Sequence, residues 1–511
     1  MFKEEHKAYL DQKHDVMKIN IFIDGEELTP STGHYSERRD PGDEDRVIGL
    51  VADGSKDVGA AVDAARRAFD RDAGGWVSDY RLRARVLYKA AELLRQNLDF
   101  FAETESLFVG KTIRTSRSSD VPRAAEILEF YAGLADKILG TSQILRTGDL
   151  VAVVKQPVGV VAAITPWNFP LVIMCRQVAP ALAAGCTVVT KPASLTPASA
   201  FEFAKILTKA GAPKGVFNVV TGSGETVGSS LVKSDKVDAV NFTGETSTGR
   251  WIMEQAAGSL KRVILELGGK NPNIVFEDAD LERAANAVTY GAYANNGESC
   301  AAGSRLLVHS NVKQKFIEMV VERVRRMRVG YQLDEKTDLG PLVSRKQLES
   351  VLEYVGAAAS EGLNIVYGGN RLTESFYARG NYMQPTVIVD TPRESKLFQE
   401  EIFGPVLTVT EFRDEDEAVE LANATLYGLA AGVWSNDVGK AVRVAEKIKA
   451  GAVWVNTYYT LPVEMPWGGF KQSGLGRNNT VHAIEHYLEH KGIYVDNQQG
   501  PMRPYYRLVL G

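Results

Sequence analysis

The sequence predicts an α/β protein built from more than one domain. Strand-like and helix-like segments alternate four times between residues 158 and 257, and a second alternating series runs from Val263 to about Val455. The chain has 511 residues, and at about 150 residues per domain this length corresponds to roughly three domains. Alternation of this kind is typical of a parallel sheet with helices on both faces, which binds nucleotides at the carboxyl ends of its strands.

The composition excludes several classes of protein. The chain has 59 Lys and Arg against 64 Asp and Glu, a net charge of −5 that argues against nucleic acid as a partner. No run approaches 18 apolar residues, so we expect no membrane span. The first fifteen residues are charged where a signal peptide needs an apolar stretch. Three cysteines form neither a disulfide framework nor a zinc pattern, so we expect a reduced, cytoplasmic location.

The N-terminal part combines a hairpin with several helices. Residues 18–24 alternate in polarity and end in an Asp-Gly turn, as in a hairpin strand. The segment 151–164 is almost entirely apolar and β-branched, as buried strands are. Helical spacing predicts helices at 57–69, 80–97, 100–105 and 120–134, the last with Pro122 in its first turn.

The central region contains the clearest alternation of strands and helices. We predict strands at 158–164, 187–190, 216–219 and 238–241, and helices at 171–184, 197–209, 225–233 and 247–257. A last helix is expected near residues 480–490.

Two glycine-bearing turns follow predicted strands in this region. Gly222-Ser-Gly224-Glu-Thr-Val-Gly228 follows the strand FNVV and opens a helix, where glycines let the backbone approach a phosphate. Its GxGxxxG spacing is one residue longer than the usual dinucleotide fingerprint, so a plain strand–helix turn stays an alternative. A second turn, Phe242–Gly249, follows the next strand and strengthens the nucleotide-binding interpretation.

Two residues carry chemistry that a simple scaffold does not need. Cys300 lies in a polar, glycine-flanked turn, whereas Cys175 and Cys186 have apolar surroundings. Accessible thiols in polar turns are the reactive ones. Glu266 ends the apolar strand RVILEL, where desolvation can raise its pKa toward that of a general base, although a lone Glu is most often only a solvated side chain.

A histidine pattern near the C-terminus offers a metal site as an alternative. His482, Glu485 and His486 fit the H-x-x-E-H pattern of one class of zinc protease, and His490 continues the spacing on a helix. A five-residue match arises easily by chance, and no further ligand motif follows downstream. We therefore expect no metal.

The motifs together resemble the aldehyde dehydrogenase superfamily over residues 20 to 495. Six motifs occur in the order typical of that family: TPWNFP (165–170), GCTVVTKPA (185–193), ELGGK (266–270), the Cys300 turn, EEIFGPV (400–406) and PWGGFKQSGLGR (466–477). The resemblance implies a Rossmann-like cofactor domain (1–138 and 156–265), an α/β catalytic domain (266–475), and a small β oligomerisation domain (139–155 and 476–511). It also implies a homodimer or homotetramer.

The resemblance assigns roles to individual residues. Cys300 would be the nucleophile that attacks an aldehyde, Asn168 would hold the oxyanion, and Glu266 would activate the water that hydrolyses the thioester. NAD or NADP would be the cofactor. The residues implied to bind it are Ile164, Thr165, Pro166, Trp167, Lys191, Ser194, Gly224, Gly228, Phe242, Thr243, Gly244, Glu245, Leu267, Glu401 and Phe403.

The sequence departs from the commonest family pattern at the cofactor site. Ser194 stands where many NAD-selective members carry a Glu that grips both ribose hydroxyls and repels a 2′-phosphate. NADP use therefore stays open. Glu245 replaces a Ser that often touches the pyrophosphate, a position where a carboxylate is unfavourable unless it points away.

The residues expected at the substrate tunnel bear on the choice of aldehyde. They are Arg123, Phe169, Val172, Ile173, Arg176, Ser299, Ala301, Tyr459, Leu461 and Trp467. Arg176 resembles the arginine that binds the distal carboxylate in succinic-semialdehyde dehydrogenases, although their second arginine is Ala294 here and Arg123 would have to replace it. The alternative is that one or both arginines have no role in substrate binding and pair with acids on a helix surface. We favour an anionic semialdehyde.

Three other functions are compatible with parts of the sequence. The aromatic residues of the tunnel suit aromatic or betaine-type aldehydes. A CoA-acylating dehydrogenase shares the fold, but such relatives tend to lack the base at Glu266. A non-catalytic binding protein on the same fold has no chemical reason to keep Cys300, Glu266, Asn168 and Lys191 together.

Overall fold

The computed structural model describes residues 15–498, and the outer ends of two predicted domain segments, 1–14 and 499–511, lie outside them. The strands, numbered along the chain, are β1 (Met17–Ile19), β2 (Ile21–Ile23), β3 (Glu26–Leu28), β4 (Tyr35–Asp40), β5 (Asp43–Ala52), β6 (Thr141–Ile144), β7 (Leu150–Pro157), β8 (Val160–Ile164), β9 (Thr187–Lys191), β10 (Phe217–Val219), β11 (Ala239–Thr243), β12 (Arg262–Glu266), β13 (Pro272–Val275), β14 (Arg305–His309), β15 (Asn364–Tyr367), β16 (Thr386–Val389), β17 (Val406–Phe412), β18 (Ala430–Trp434), β19 (Ala452–Val455), β20 (Gly474–Leu475) and β21 (Leu488–Val495).

The helices connect these strands. The α-helices are α1 (Val58–Asp70), α2 (Tyr80–Gln96), α3 (Leu98–Val109), α4 (Ile113–Thr115), α5 (Val121–Ala132), α6 (Pro170–Ala184), α7 (Ala198–Ala210), α8 (Ser229–Lys233), α9 (Thr246–Ala257), α10 (Leu281–Tyr293), α11 (Lys313–Arg326), α12 (Arg345–Ser360), α13 (Lys396–Gln399), α14 (Glu415–Asn423) and α15 (Val438–Lys447). Short 3-10 or π-helical turns occur at Ala73–Gly75, Ser116–Asp120, Ala135–Lys137, Gly224–Gly228, Ala294–Gly297, Ser310–Val312, Ser375–Arg379, Lys471–Ser473 and Val481–Tyr487.

The predicted α/β class is confirmed, with two large sheets that are mostly parallel. The first has the order β20-β12-β11-β8-β9-β10-β2-β3, and the second has the order β15-β16-β17-β14-β13-β18-β19. In the first sheet the chain runs outward from β8 through β9 to β10, and then returns to the other side of β8 through β11 and β12. The strand order therefore reverses between β8 and β11, the point where open α/β sheets bind their ligands.

The central strands are buried because helices cover both faces of the sheet. All five residues of β8 are buried. Val161 and Ala163 face the apolar cluster that includes α6, whereas Val160 and Ala162 face the cluster that includes α1 and α8. Continuous apolar strands of this kind are what a doubly covered parallel sheet requires.

Two smaller sheets complete the fold. One has the order β1-β5-β4, and the other has the order β21-β7-β6. The second small sheet is formed by residues 141–157 and 488–495, close to the segments predicted for oligomerisation. The boundaries of the three domains stay a prediction.

Three predictions are wrong in detail. The segment 151–164, predicted to be buried, is buried only in its second part, because the chain turns at Gly159 with φ +132° and β7 leaves for a different sheet, where it is half-buried. The predicted helix 225–233 begins as a π-helical turn and continues as the short α8. The helix near 480–490 is a 3-10 helix that ends at Tyr487 and passes into β21.

The histidine pattern loses its basis with that helix. His490 lies on β21, so the helical spacing that would align three histidines does not exist. His486 Nε2 accepts a hydrogen bond from the Arg477 amide at 3.0 Å, and His490 Nε2 lies 3.3 Å from Glu485 Oε2. Among residues 15–498 no three His, Cys, Asp or Glu side chains are grouped closely enough to hold a metal ion. In the same range no helix is long and apolar enough to cross a membrane.

Candidate active site

The carboxyl ends of β8, β9 and β11 open into a cleft of about 830 Å³. Twelve of the residues predicted to bind a cofactor line it: Ile164, Thr165, Pro166, Trp167, Lys191, Ser194, Gly224, Gly228, Phe242, Thr243, Gly244 and Glu245. Further lining residues that sequence reasoning missed include Glu225, Ser229 and Trp251. The size lies within the range of about 300–1,000 Å³ that small-molecule and cofactor sites occupy.

Lys191 gives this cleft a cation without a partner. The side chain is 5 % exposed, and it makes no hydrogen bond or ion pair within the part of the chain that the structure describes. Burial lowers the pKa of Lys191 to about 8. A buried ammonium without an acceptor is unfavourable unless a ligand supplies oxygen atoms, so the cleft fits a ligand with hydroxyl or phosphate groups.

Ser194 and Glu245, the two departures from the family pattern, differ in their contacts. Ser194 is exposed, and its hydroxyl donates a hydrogen bond to the Gly222 carbonyl at 2.8 Å. Glu245 Oε1 accepts a hydrogen bond from the Ser247 hydroxyl at 2.6 Å, at the start of α9. The carboxylate of Glu245 is thus held by its own helix terminus, a favourable place for a negative charge.

A second cleft of about 550 Å³ continues from the first and reaches Cys300. Pro166, Trp167, Thr243, Gly244 and Glu245 line both clefts. The other predicted residues that line the second cleft are Asn168, Glu266, Leu267, Cys300, Glu401 and Phe403. The ring of Phe403 packs edge-on against Trp167 with centroids 5.2 Å apart.

Two glycines of the ELGGK segment allow the parts of this cleft to meet. A side chain at Gly268 would collide with the Glu401 carboxylate, and one at Gly269 would collide with the Cys300 carbonyl. The Gly269 amide donates a hydrogen bond to Glu401 Oε1 at 3.0 Å. Burial raises the pKa of Glu401 to about 8, and the Glu266 carboxylate adds to the shift.

Cys300 is the accessible cysteine of the three. It is partly exposed, whereas Cys175 and Cys186 are buried. Burial of its sulfur, together with the nearby Glu266 carboxylate, raises the pKa of the Cys300 thiol well above its ordinary value, and Arg176 acts in the opposite direction. The turn is held by Asn271, whose Nδ2 donates to the Cys300 carbonyl at 2.7 Å.

Asn168 and Asn295 both contact the residues before this turn. Asn168 Nδ2 donates to the Glu298 carbonyl at 3.1 Å, and Asn295 Nδ2 donates to the same carbonyl at 2.9 Å. Asn295 also donates to the Asn168 carbonyl at 3.2 Å. Sequence reasoning missed Asn295. Its signal was the pair Asn295-Asn296 before Gly297, and both asparagines adopt positive φ.

Glu266 is a buried carboxylate that accepts no hydrogen bond from the described residues. The residue is 1 % exposed, and neither of its oxygens accepts a hydrogen bond within residues 15–498. Burial raises the pKa of Glu266, and this shift is opposed chiefly by Arg176. A raised pKa makes a carboxylate a stronger base, which suits Glu266 to general-base catalysis.

On the other side of Cys300 a narrow tunnel of about 100 Å³ leads away from the clefts. All ten predicted tunnel residues line it: Arg123, Phe169, Val172, Ile173, Arg176, Ser299, Ala301, Tyr459, Leu461 and Trp467. Ser119 and Asp120 also line it and were missed, because the sequence marked Asp120 only as a helix start.

The two arginines of the tunnel have different surroundings. Arg123 is partly exposed, and its Nη1 lies 3.5 Å from Glu126 Oε2 on the same helix. This is the pairing with a helix-surface acid that was predicted as the alternative to substrate binding. Arg176 is 9 % exposed and forms no hydrogen bond or ion pair within the described residues. Its guanidinium lies 6.0 Å from the Trp467 ring, and its Nε is buried without an acceptor.

The fold and the site together define a nucleotide-dependent oxidoreductase: a doubly wound sheet, a cofactor-sized cleft at its switch point, and a cysteine–glutamate pair where that cleft meets a tunnel. The aldehyde dehydrogenase family model matches residues 28–493. The chain belongs to the aldehyde dehydrogenase family, and the prediction that it is an enzyme that oxidises aldehydes is confirmed.

Individual relatives agree over almost the whole chain. Betaine aldehyde dehydrogenase of Bacillus subtilis is 41 % identical over 480 residues, which are 94 % of this chain and 97 % of the relative. The crystal structure of betaine aldehyde dehydrogenase from Staphylococcus aureus in complex with NAD+ has a TM-score of 0.92 at 37 % identity, covering 96 % of this chain and 98 % of the other. An NAD-dependent aldehyde dehydrogenase from Sinorhizobium meliloti has a TM-score of 0.92 at 38 % identity, covering 95 % and 96 %.

Proposed function

We propose that the enzyme oxidises an aldehyde that carries a distal anion to its carboxylic acid, with Cys300 as the nucleophile. The observation that carries the choice of substrate is Arg176, a buried guanidinium that lines the tunnel and forms no hydrogen bond or ion pair among residues 15–498, although the Glu266 carboxylate attracts it. A carboxylate or sulfonate at the far end of the aldehyde would satisfy its donors in a bidentate manner.

Cys300 and Asn168 carry the first step. The Cys300 sulfur attacks the carbonyl carbon and forms a thiohemiacetal. The developing oxyanion receives hydrogen bonds from Asn168 Nδ2 and from the Cys300 backbone amide. Because burial and the Glu266 carboxylate raise the pKa of Cys300, the thiol is protonated without ligands, and Glu266 is positioned to take its proton.

The two clefts are the proposed site for NAD+ or NADP+. When bound, the nicotinamide supplies hydride acceptance, which converts the thiohemiacetal to a thioester. Lys191 would meet ribose hydroxyls, the turn Gly224–Gly228 would lie against the phosphates, and Glu401 with Phe403 would border the nicotinamide end. Relatives that bind NAD+ support this assignment, and the absence of an acid at Ser194 leaves room for a 2′-phosphate.

Glu266 performs the last step. Once the proton taken from Cys300 has been released to solvent, the Glu266 carboxylate, which accepts no hydrogen bond from the described residues, takes a proton from a water that attacks the thioester carbon, and this proton then passes to the departing Cys300 sulfur. The carboxylic acid leaves and the Cys300 thiol is restored. A base at this position favours hydrolysis over transfer of the acyl group to CoA.

A betaine-type aldehyde is the second candidate, and two observations favour it. The relatives include betaine aldehyde dehydrogenases, and Phe169, Tyr459 and Trp467 give the tunnel aromatic faces that suit a quaternary ammonium. Against it, Arg176 and Arg123 add two positive charges to the tunnel. Among residues 15–498, Asp120 is the one carboxylate that lines it, and it is paired with buried Lys111 at 2.7 Å.

A comparison of three aldehydes of similar length tests the proposal. Succinic semialdehyde, a neutral straight-chain aldehyde and betaine aldehyde are each assayed for reduced-cofactor formation with NAD+ and with NADP+. We expect the highest kcat/KM for succinic semialdehyde. A higher value for betaine aldehyde would establish the second candidate, and equal values for all three would remove the argument from Arg176.

The assembly and the location of the enzyme belong to the same proposal. We infer that the sheet β21-β7-β6 forms contacts in a homodimer or homotetramer, because Ile144, Ile493, Tyr494 and Val495 expose apolar surface on it. Light scattering after size-exclusion chromatography measures the mass directly, and a monomer would contradict this inference. A cytoplasmic location agrees with three unpaired cysteines.

A further inference from the structure

A buried cation lies directly behind the residue that follows Asn168. The Lys111 side chain is completely buried, and its Nζ donates a hydrogen bond to Asp120 Oδ2 at 2.7 Å. The same Nζ lies 4.1 Å from the centroid of the Phe169 ring. Phe169 therefore touches the tunnel with one part of its ring and a fixed positive charge with another.

A second buried group holds the other side of this turn. Glu105 is completely buried, and its carboxylate accepts hydrogen bonds from the Leu171 amide, at 3.4 Å, and from the Ser199 hydroxyl. Leu171 lies in the first turn of α6, where a carboxylate is favourable next to free amides. We call Glu105, Lys111 and Asp120 the clamp. Glu105 contacts Leu171 in the first turn of α6, Lys111 contacts Phe169 just before that helix, and Asp120 pairs with Lys111.

The clamp is poorly explained by stability alone. Removing Lys111 and Asp120 from water costs about as much as their attraction returns, so a buried ion pair adds little net stability. The cation above the Phe169 ring, in contrast, contributes an attraction with a defined direction. This attraction acts on the ring of Phe169, the residue next to Asn168.

We propose that Lys111 is a positioning residue for aldehyde oxidation: by holding the Phe169 ring, it fixes the direction of the Asn168 side chain. The inference rests on the proposed role of Asn168 as the oxyanion donor. Such a donor is effective only when it is held within about 0.5 Å of its productive position. The Asn168 amide is 3.1 Å from the Glu298 carbonyl and is oriented toward the turn that carries Cys300.

The test compares the wild-type enzyme with a double variant that lacks both charges. Lys111→Met with Asp120→Asn removes the cation together with its partner, keeps the volume and leaves neither member of the ion pair buried alone. With a neutral aldehyde, so that tunnel charge matters least, we expect kcat of the double variant to be about tenfold below that of the wild-type enzyme. Removal of one oxyanion donor costs about 10²- to 10³-fold, so a displaced donor should cost less. The KM for NAD+ should change less than twofold.

The same pair is then measured with Asn168→Ala present in both. If Lys111 acts through Asn168, its loss costs less than twofold in that background, because no amide is left to misplace. A tenfold loss in both backgrounds, or no loss in either, overturns the role of Lys111. If Asn168→Ala alone keeps the wild-type kcat, the oxyanion assignment of the proposed function is wrong, and the inference falls with it.

A conservative variant covers the case in which the double variant does not fold. Lys111→Arg keeps a cation that can lie over the Phe169 ring and pair with Asp120. We expect it to keep at least half of the wild-type kcat at an unchanged melting temperature. A folded Lys111→Arg enzyme with a tenfold lower kcat would show that a cation at this place is not what positions Asn168.

Discussion

The cofactor clefts and the substrate tunnel meet at Cys300 but are built in different ways. The first cleft, of about 830 Å³, is lined by residues from one stretch of the chain, 164–252, which contains strand ends and glycine turns. The tunnel, of about 100 Å³, is lined by residues from four separate segments: 119–123, 169–176, 299–301 and 459–467. We therefore expect changes in the cleft to alter the use of the cofactor and changes in the tunnel to alter the choice of aldehyde.

The two regions share one electrostatic feature. Each has a buried cation that forms no hydrogen bond or ion pair among residues 15–498: Lys191 in the cleft and Arg176, which the Glu266 carboxylate attracts, in the tunnel. A ligand that offers oxygen atoms or negative charge to such a cation is favoured. From this comparison we expect three kinds of effect. Loss of Cys300, which both regions share, should abolish oxidation of every aldehyde. Loss of a tunnel cation should slow oxidation of some aldehydes, and a change in the cleft should weaken the use of one cofactor.

The largest effect is expected at the point that both regions share. Cys300→Ala should lower kcat by about 10⁴-fold or more, since removal of a nucleophile disables the whole catalytic unit. Cofactor binding, measured by the quenching of tryptophan fluorescence, should persist. Cys186→Ser is the matched control, because Cys186 is buried and its sulfur contacts only the Tyr487 carbonyl at 3.5 Å among the hydrogen-bond partners described. Turnover above a few per cent in Cys300→Ala would exclude Cys300 as the nucleophile.

Glu266→Gln should have the second-largest effect. Loss of a general base costs about 10²- to 10⁴-fold, and added imidazole should restore part of the rate with any aldehyde. The pH profile adds a check. Burial raises the pKa of Glu266 above the ordinary 4.5, and a base works only when deprotonated, so wild-type kcat should fall as pH drops through that raised pKa. If this acid limb survives in Glu266→Gln, another group is the base.

The sequence predicted the parallel sheet well because apolar strands and helical spacing are local signals. β8, β9 and β11 lie where they were expected. The signal failed where the surroundings decide. The run 151–164 has the composition of buried strands, but whether its first part leaves for another sheet depends on β21, more than 300 residues later.

The site followed the same rule. Glycine turns and the ELGGK segment mark backbone that must approach something closely, so the residues that line the clefts were predictable from motifs. The contacts of Lys111 with Asp120 and Phe169, and of Asn295 with Asn168, join residues that no motif links. The same limit applies to Glu245, whose carboxylate is held by Ser247, two residues further along the chain.

The tunnel arginines give the third prediction. A charge-assisted hydrogen bond is worth about 1.5–3 kcal/mol, so Arg176→Leu should lower kcat/KM for succinic semialdehyde by about ten- to a hundredfold. A neutral aldehyde of equal length should be nearly unaffected. Arg123→Met is the control within the tunnel, because Arg123 lies near Glu126 and is partly exposed, and its loss should cost less. An equal loss for both aldehydes in Arg176→Leu would make Arg176 a structural residue.

The smallest effect is expected from Ser194→Glu, which tests whether the first cleft discriminates between cofactors as the tunnel discriminates between aldehydes. A carboxylate at this exposed position accepts hydrogen bonds from free ribose hydroxyls and repels a 2′-phosphate. Because the position is exposed, solvent screens the repulsion, and we expect the KM for NADP+ to rise about fivefold to tenfold with little change for NAD+.

The control for this variant is Ser194→Gln, which adds the same volume without the charge. Both variants lose the hydrogen bond from the serine hydroxyl to the Gly222 carbonyl, so any effect of that loss cancels between them. The charge alone is then responsible for a difference in the KM for NADP+, and that difference should shrink as ionic strength rises. An equal KM for NADP+ in the Glu and Gln variants at low salt would mean that residue 194 does not face the 2′ position. Selectivity would then have to arise elsewhere in the cleft. Among the residues that line the cleft, Glu225 is the acidic residue nearest to Ser194 along the chain.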